Sequence, residues 1–205
     1  MNTPVTYALL ATCVVGFFLQ QGAAGDALLI NFALWPVGAT PGMPAFQPWQ
    51  LLTYGFLHSG TAHLVFNCLA LWMFGSDLER FWRSQAFLLF VLVCIVGAGL
   101  TQLVVGMLGD DPRPTIGISG GVYGVLLGFG MMFPNRIIMP LFPPIPMKAK
   151  YAVMLFAGIE IFLGVFSSGG GVAHFAHLGG LATGFVLIQY WRGRLPIKPK
   201  RLLRY

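Results

Sequence analysis

The chain has 205 residues, 57% of them apolar and 9% charged, with a net charge of +6 and a mean hydropathy of +0.77. A soluble domain carries about a quarter charged residues, so this balance excludes an ordinary water-soluble fold. In a soluble protein the basic excess would suggest nucleic acid, but here it follows the borders of the apolar segments, and no nucleic-acid partner is expected.

Apolar runs fall around 5–20, 61–74, 86–108, 119–133, 151–166 and 172–191. Their lengths lie near the roughly 17–25 residues that cross a hydrocarbon layer as helix. They are continuously apolar rather than alternating in pieces of about ten residues, which argues against a membrane barrel. The expected fold is an all-α membrane protein: a compact bundle of six transmembrane helices with a long first loop on or in the outer leaflet. Residues 1–191 form that single domain, and 192–205 a basic cytoplasmic tail.

The first run is followed by "QQGAAGDA", which resembles a leader-cleavage site. No Lys or Arg precedes the run, and cleavage would leave five spans, so a retained first helix is expected. The loop at about 22–57 is rich in apolar and aromatic residues, Trp35, Phe46, Trp49 and Tyr54 among them. Trp and Tyr favour the headgroup interface.

Arg80 and Arg83 follow the second run. Arg136, Lys148 and Lys150 lie between the fourth and fifth, and Arg192, Arg194, Lys198, Lys200, Arg201 and Arg204 follow the sixth. Only Arg113 falls on the other side. The positive-inside bias therefore puts both termini in the cytoplasm of a multi-pass cell-membrane protein, with anionic lipid of the bilayer as a partner. "MPLFPPIPMK", with its prolines, reads as a stiff cytoplasmic connector. Cys13, Cys68 and Cys94 lie inside spans as small packing residues. No ligand spacing suggests a metal, and no cofactor is expected.

Polar side chains in spans are costly and therefore candidates for function. Ser119 opens the fourth span, after Asp110, Asp111 and Arg113. A helix beginning near Arg113 would put Ser119 roughly 9 Å below the loop, and less if it begins later. His177 lies near the outer end of the sixth span. His63 and Asn67, four residues apart, share one face near the outer end of the second. All four therefore reach the outer half of the membrane.

Together they suit acyl transfer. Serine needs a base, and neutral histidine is the usual one. His63, the Asn67 amide and the Ser119 backbone N–H can serve an oxyanion. No carboxylate is evident to orient His177, so a Ser–His dyad is expected. Gly120, Gly124 and Gly128 on the fourth span, with Gly180 and Gly184 on the sixth, allow the close approach that a Ser119–His177 bond requires. Tyr123, one turn below Ser119, is placed to lie against the imidazole.

The motifs "HLVFN" (63–67), "GISG" (117–120) and "AHLGGLATG" (176–184), in that order, resemble the rhomboid family of intramembrane serine proteases. The resemblance implies Ser119 as nucleophile and His177 as general base, with His63 and Asn67 at the oxyanion and Tyr123, Gly117 and Gly120 in support. It implies a membrane-embedded first loop, and cleavage of single-span membrane proteins near the outer surface. "GSDLER" is similar to the family's Gly-x-x-x-Glu-Arg turn, with Gly75, Glu79 and Arg80. The chain departs from the family's frequent Trp-Arg in the first loop, having Trp49-Gln50 and thus no cation there.

His174 is expected to be structural or to line a gate, and His58 to be a hydrogen-bonded loop residue. Glu160, in the fifth span, must be neutral or paired, with an interhelical packing bond ahead of a proton relay. The fifth span and the loop before the sixth are candidate gates. A client-holding relative without catalysis would commonly lack the serine or histidine, and a transporter would need more mid-membrane polar residues. The oligomeric state is not legible.

Overall fold

The computed structural model describes residues 2–38, 42–109, 112–140, 144–166 and 173–199. Asp110 and Asp111, the proposed gate loop at 167–172 and the end of the basic tail from 200 lie outside these.

The chain is mostly helical. Helix α1 (Pro4–Gln20) starts on a proline, whose missing N–H is no loss in a first turn. The first loop is folded rather than open: α2 (Gly25–Phe32), then the short α3 (Gln50–Thr53) running into a 3-10 turn at Tyr54–Phe56. The second apolar run is α4 (Thr61–Ala70), a π-helical turn at Leu71–Gly75 and α5 (Ser76–Trp82). "GSDLER" is therefore mostly helix and not a turn. The chain reverses only at Arg83, whose φ is 70°.

Then come α6 (Ser84–Gly109), α7 (Ser119–Met132), α8 (Ala149–Phe166) and α9 (His174–Trp191). Between α7 and α8, β1 (Ile137–Ile138) pairs antiparallel with β2 (Met147–Lys148). The proline-rich connector thus contains a minimal ladder that an all-α reading omits.

Taken singly, two described helices are long and apolar enough to cross a membrane, Ser84–Leu108 and Ala149–Phe166, while α1 and α7 are shorter apolar helices. Large apolar side chains project outward, with Leu108 84% and Phe166 72% exposed. Such a surface is unsuited to water.

Helices α6, α7 and α9 meet at the centre, and α8 packs mainly on α9. Small residues set the spacing. A Cβ on Gly180 would overlap the Gly120 carbonyl oxygen, and one on Gly184 would stand 3.4 Å from Gly124 Cα, so the α7 and α9 backbones touch. A Cβ on Gly124 would come 2.5 Å from the Cys94 sulfur, so that buried thiol is a packing atom.

Glu79 is fully enclosed and ties α5 to α1. It accepts the Val5 and Thr6 backbone N–H groups at 3.0 and 2.8 Å, the Thr6 hydroxyl at 2.8 Å and the Ser84 hydroxyl at 2.6 Å. Those amides belong to the first turn of α1 and have no intrahelical acceptor.

Candidate active site

Helix α7 begins at Ser119 itself, where the fourth apolar run begins, so the later of the two starts considered above applies. At 14 residues it is about 21 Å long, short of the roughly 30 Å of a bilayer's hydrocarbon core. The position of Ser119 is set by the segment before it, which is pinned to the first loop. Thr115 and Leu34 exchange backbone hydrogen bonds at 2.9 and 3.0 Å, and Gly117 N–H donates to Tyr54 O at 2.8 Å. Tyr54, itself buried, donates its hydroxyl to Ile95 O of α6 at 2.8 Å.

Gly117 adopts φ of +115°, and a side chain there would also strike His63, with a Cβ 2.6 Å from Cε1. Only glycine suits both demands.

Ser119 Oγ lies 2.8 Å from His177 Nε2. The imidazole is buried and stacks on Tyr123, with centroids 4.4 Å apart and planes inclined by 12°. That stack and the α7–α9 backbone contact fix the ring's plane and its distance from the serine.

Asn67 is buried, and its Nδ2 has no hydrogen-bond partner among the described residues. A buried amide donor without an acceptor is costly. His63 is half-buried with Nδ1 3.0 Å from the Ser59 hydroxyl, and its other edge lies against Gly117. As the first residue of α7, Ser119 has a backbone N–H with no intrahelical acceptor, at the positive end of the helix dipole.

A model of the Rhomboid domain matches residues 45–194. The chain belongs to the rhomboid family. It is similar to the rhomboid protease GlpG of Serratia proteamaculans, 28% identical over 193 residues, which are 93% of this chain and 63% of the relative. The GlpG of Klebsiella pneumoniae is 26% identical over 185 residues, 90% of this chain and 62% of that protein. The rhomboid protease GluP of Bacillus subtilis is 34% identical over 121 residues, 59% of this chain and 23% of the relative. The chain thus spans less than two thirds of the length of these relatives.

The expectation that no carboxylate orients His177 needs correction, while the interhelical bond expected of Glu160 is present. A carboxylate does reach the histidine: Glu160 Oε1, on α8, is 3.0 Å from His177 Nδ1. The contact lies off the direction of an Nδ1–H, so Nδ1 has no aligned hydrogen bond. Glu160 also accepts a short hydrogen bond from the Tyr123 hydroxyl, and its Oε2 is 2.6 Å from His174 Nδ1. Glu160, His174 and His177 present ligand atoms within 4.8 Å of one another, the one described cluster that could hold a metal ion. The available signal was that Glu160 is the one acidic residue inside an apolar run.

His58 was expected to be a hydrogen-bonded loop residue. Its backbone N–H does bond Gln20 Oε1 at 2.8 Å, and its ring faces the Phe56 backbone without a well-aligned hydrogen bond at either nitrogen. The ring is enclosed and packs edge-on against His63 at 5.1 Å. Burial, and then the neighbouring His63, push its pKa down to about 4.

Gln50, where the resemblance implies a frequent Arg, anchors the first loop by hydrogen bonds. Fully buried, its Oε1 accepts from Gln47 N at 3.2 Å and Trp35 N at 3.3 Å, and its Nε2 donates to Asn31 O at 3.3 Å.

Proposed function

We propose that this chain is an intramembrane serine endopeptidase that cleaves transmembrane segments of single-span membrane proteins near the outer membrane surface. The observation that carries it is the 2.8 Å contact between Ser119 Oγ and His177 Nε2, with the imidazole stacked on Tyr123.

Ser119 attacks the scissile carbonyl carbon as its proton passes to His177 Nε2, and the carbonyl π electrons move to oxygen. The oxyanion is received by the Ser119 backbone N–H, the unpartnered Asn67 amide and His63. Collapse breaks the C–N bond, and Nε2 returns the proton to the leaving nitrogen. Water then attacks the acyl carbon as its proton passes to Nε2, and collapse breaks the bond from that carbon to Oγ while Nε2 returns the proton to Ser119.

Six long helical stretches, with α4, the π turn and α5 counted as one, support a six-span bundle, and the eleven basic residues on one side support cytoplasmic termini. A short α7 with Ser119 at its outer end supports access of water from the outer face. A cleft of about 370 Å³ begins beside Asn67 and Tyr123 and is lined by Phe66 and Met73 on one flank and Phe156 of α8 on another. Its apolar walls suit a substrate helix arriving from lipid. A peptide bond inside an intact helix is shielded, so the segment must unwind before Ser119 reaches it; substrates with small or helix-breaking residues are favoured.

The test is cleavage of a single-span substrate by purified protein in liposomes, compared with Ser119→Ala and His177→Ala. Both variants are expected to be inactive. Cleavage surviving Ser119→Ala would sink the assignment, and a C-terminal reporter found outside the cell would overturn the orientation.

A further inference from the structure

An imidazole that accepts a proton at one nitrogen must carry its own proton on the other, and what that second nitrogen meets decides the tautomer. His177 Nδ1 meets Glu160, which is buried and lies on α8. The other buried residues of that helix are Ala149, Ala152 and Val153, toward its opposite end. A carboxylate enclosed on an otherwise apolar helix is expensive and is retained where it has partners.

Its partners are all groups around the reacting atoms: Tyr123 from α7, and His174 and His177 from α9. His177 in turn faces Ser119 and Tyr123, with His63 of α4 nearby.

We infer that Glu160 is a positioning residue for His177, holding the tautomer with Nδ1 protonated and Nε2 free to accept from Ser119, so that the site is a Ser119–His177–Glu160 chain. This rests on the protease reading above. When Ser119 gives up its proton, an imidazolium forms beside the Glu160 carboxylate, and their attraction is strong in a site shielded from water. The Nδ1–H is not aligned on Oε1 in the resting geometry. Such bonds often tighten only when substrate is bound.

Tyr123 and His174 share the same carboxylate and draw its charge away from His177. Removing His174 therefore strengthens the hold of Glu160 on His177, and removing the carboxylate charge abolishes it.

The experiment measures kcat and KM against pH in liposomes with a fluorogenic single-span substrate, for wild type, Ser119→Ala, Glu160→Gln, Glu160→Asp and His174→Gln. Glu160→Gln is expected to lower kcat by about tenfold or more while KM stays within about twofold. It also moves the acid limb of kcat/KM down by about one pH unit. Glu160→Asp recovers part of kcat, and His174→Gln moves the limb the opposite way, to higher pH. A purely structural Glu160 would lower thermal stability and leave the limb in place, so an unmoved limb with wild-type kcat in Glu160→Gln overturns the inference. If Glu160→Gln does not fold, an unmoved limb in His174→Gln overturns it instead. A wild type without activity, or activity that survives Ser119→Ala, removes the protease reading. An inactive Ser119→Ala beside a wild-type-like Glu160→Gln removes only the role of Glu160.

Discussion

Gly180 on α9 lies against the carbonyl of Gly120 on α7, with no space between them for a methyl group. The distance between Ser119 and His177 depends on this contact, because they sit one and three residues from it along their helices. Gly180→Ala is therefore expected to separate the helices and lengthen the 2.8 Å contact. A misplacement of about 1 Å can cost a hundredfold in rate, so kcat should fall by about that factor. Gly158→Ala on α8, where a Cβ meets nothing within 4 Å, is the control expected to keep near-wild-type kcat. Single-turnover cleavage of one substrate by both variants checks the contrast.

The buried Asn67 amide leads to a prediction on the rate alone. Loss of one oxyanion donor costs about 10²–10³ in kcat with little change in ground-state binding. Asn67→Ala should follow that pattern, with KM close to wild type. A variant that raises KM and leaves kcat intact would show Asn67 to be a wall of the apolar cleft and not a donor.

Much of the site was legible because its signals are local. Ser119 at a helix start, the glycines at four-residue spacing, the His63–Asn67 pair and the place of Tyr123 one turn below Ser119 follow from helical periodicity, and the close approach those glycines allow brings Tyr123 onto His177. Glu160 was not, since its contacts span 37 residues to Tyr123 and 14 to His174, across helices whose rotation no periodicity reveals. The start of α7 at Ser119 was legible, but what holds the segment before it was not, because its partners Leu34 and Tyr54 come from a loop far upstream. The π turn at Leu71–Gly75 likewise has no sequence signature: the run is as apolar as the regular helix before it.

Glu79 makes a stability prediction on the opposite side of the bundle. Glu79→Ala would strand the Val5 and Thr6 amides and two hydroxyls in a site that is 2% exposed. Hydrogen bonds to a charged group contribute about 1.5–3 kcal/mol each, and stranded buried donors add to the loss. A net destabilisation of about 3 kcal/mol is expected, on the scale of breaking a buried charge's network. Thermal unfolding in detergent should show a lower midpoint, with residual activity at low temperature because Glu79 is remote from Ser119. An unchanged midpoint would mean that α1 is held by its apolar face alone.

His58 should make the fold sensitive to acid. Its ring is enclosed in the loop ahead of α4, its contact with the Phe56 backbone offsets only part of the cost of burying a charge, and its pKa is lowered to about 4 from the usual 6.5. The unfolded chain therefore takes up a proton at a pH where the folded chain refuses it. The stability conferred by the neutral ring is complete above pH 6.5, declines as the pH falls toward 4, and levels off below that. One proton of difference gives a slope of about 1.4 kcal/mol per pH unit at most. His58→Leu removes the titrating group while keeping an apolar filler against His63, so its stability curve should be flatter over that window. Unfolding midpoints measured from pH 7 to pH 4 decide the matter: equal slopes for wild type and variant would assign the acid sensitivity to other groups.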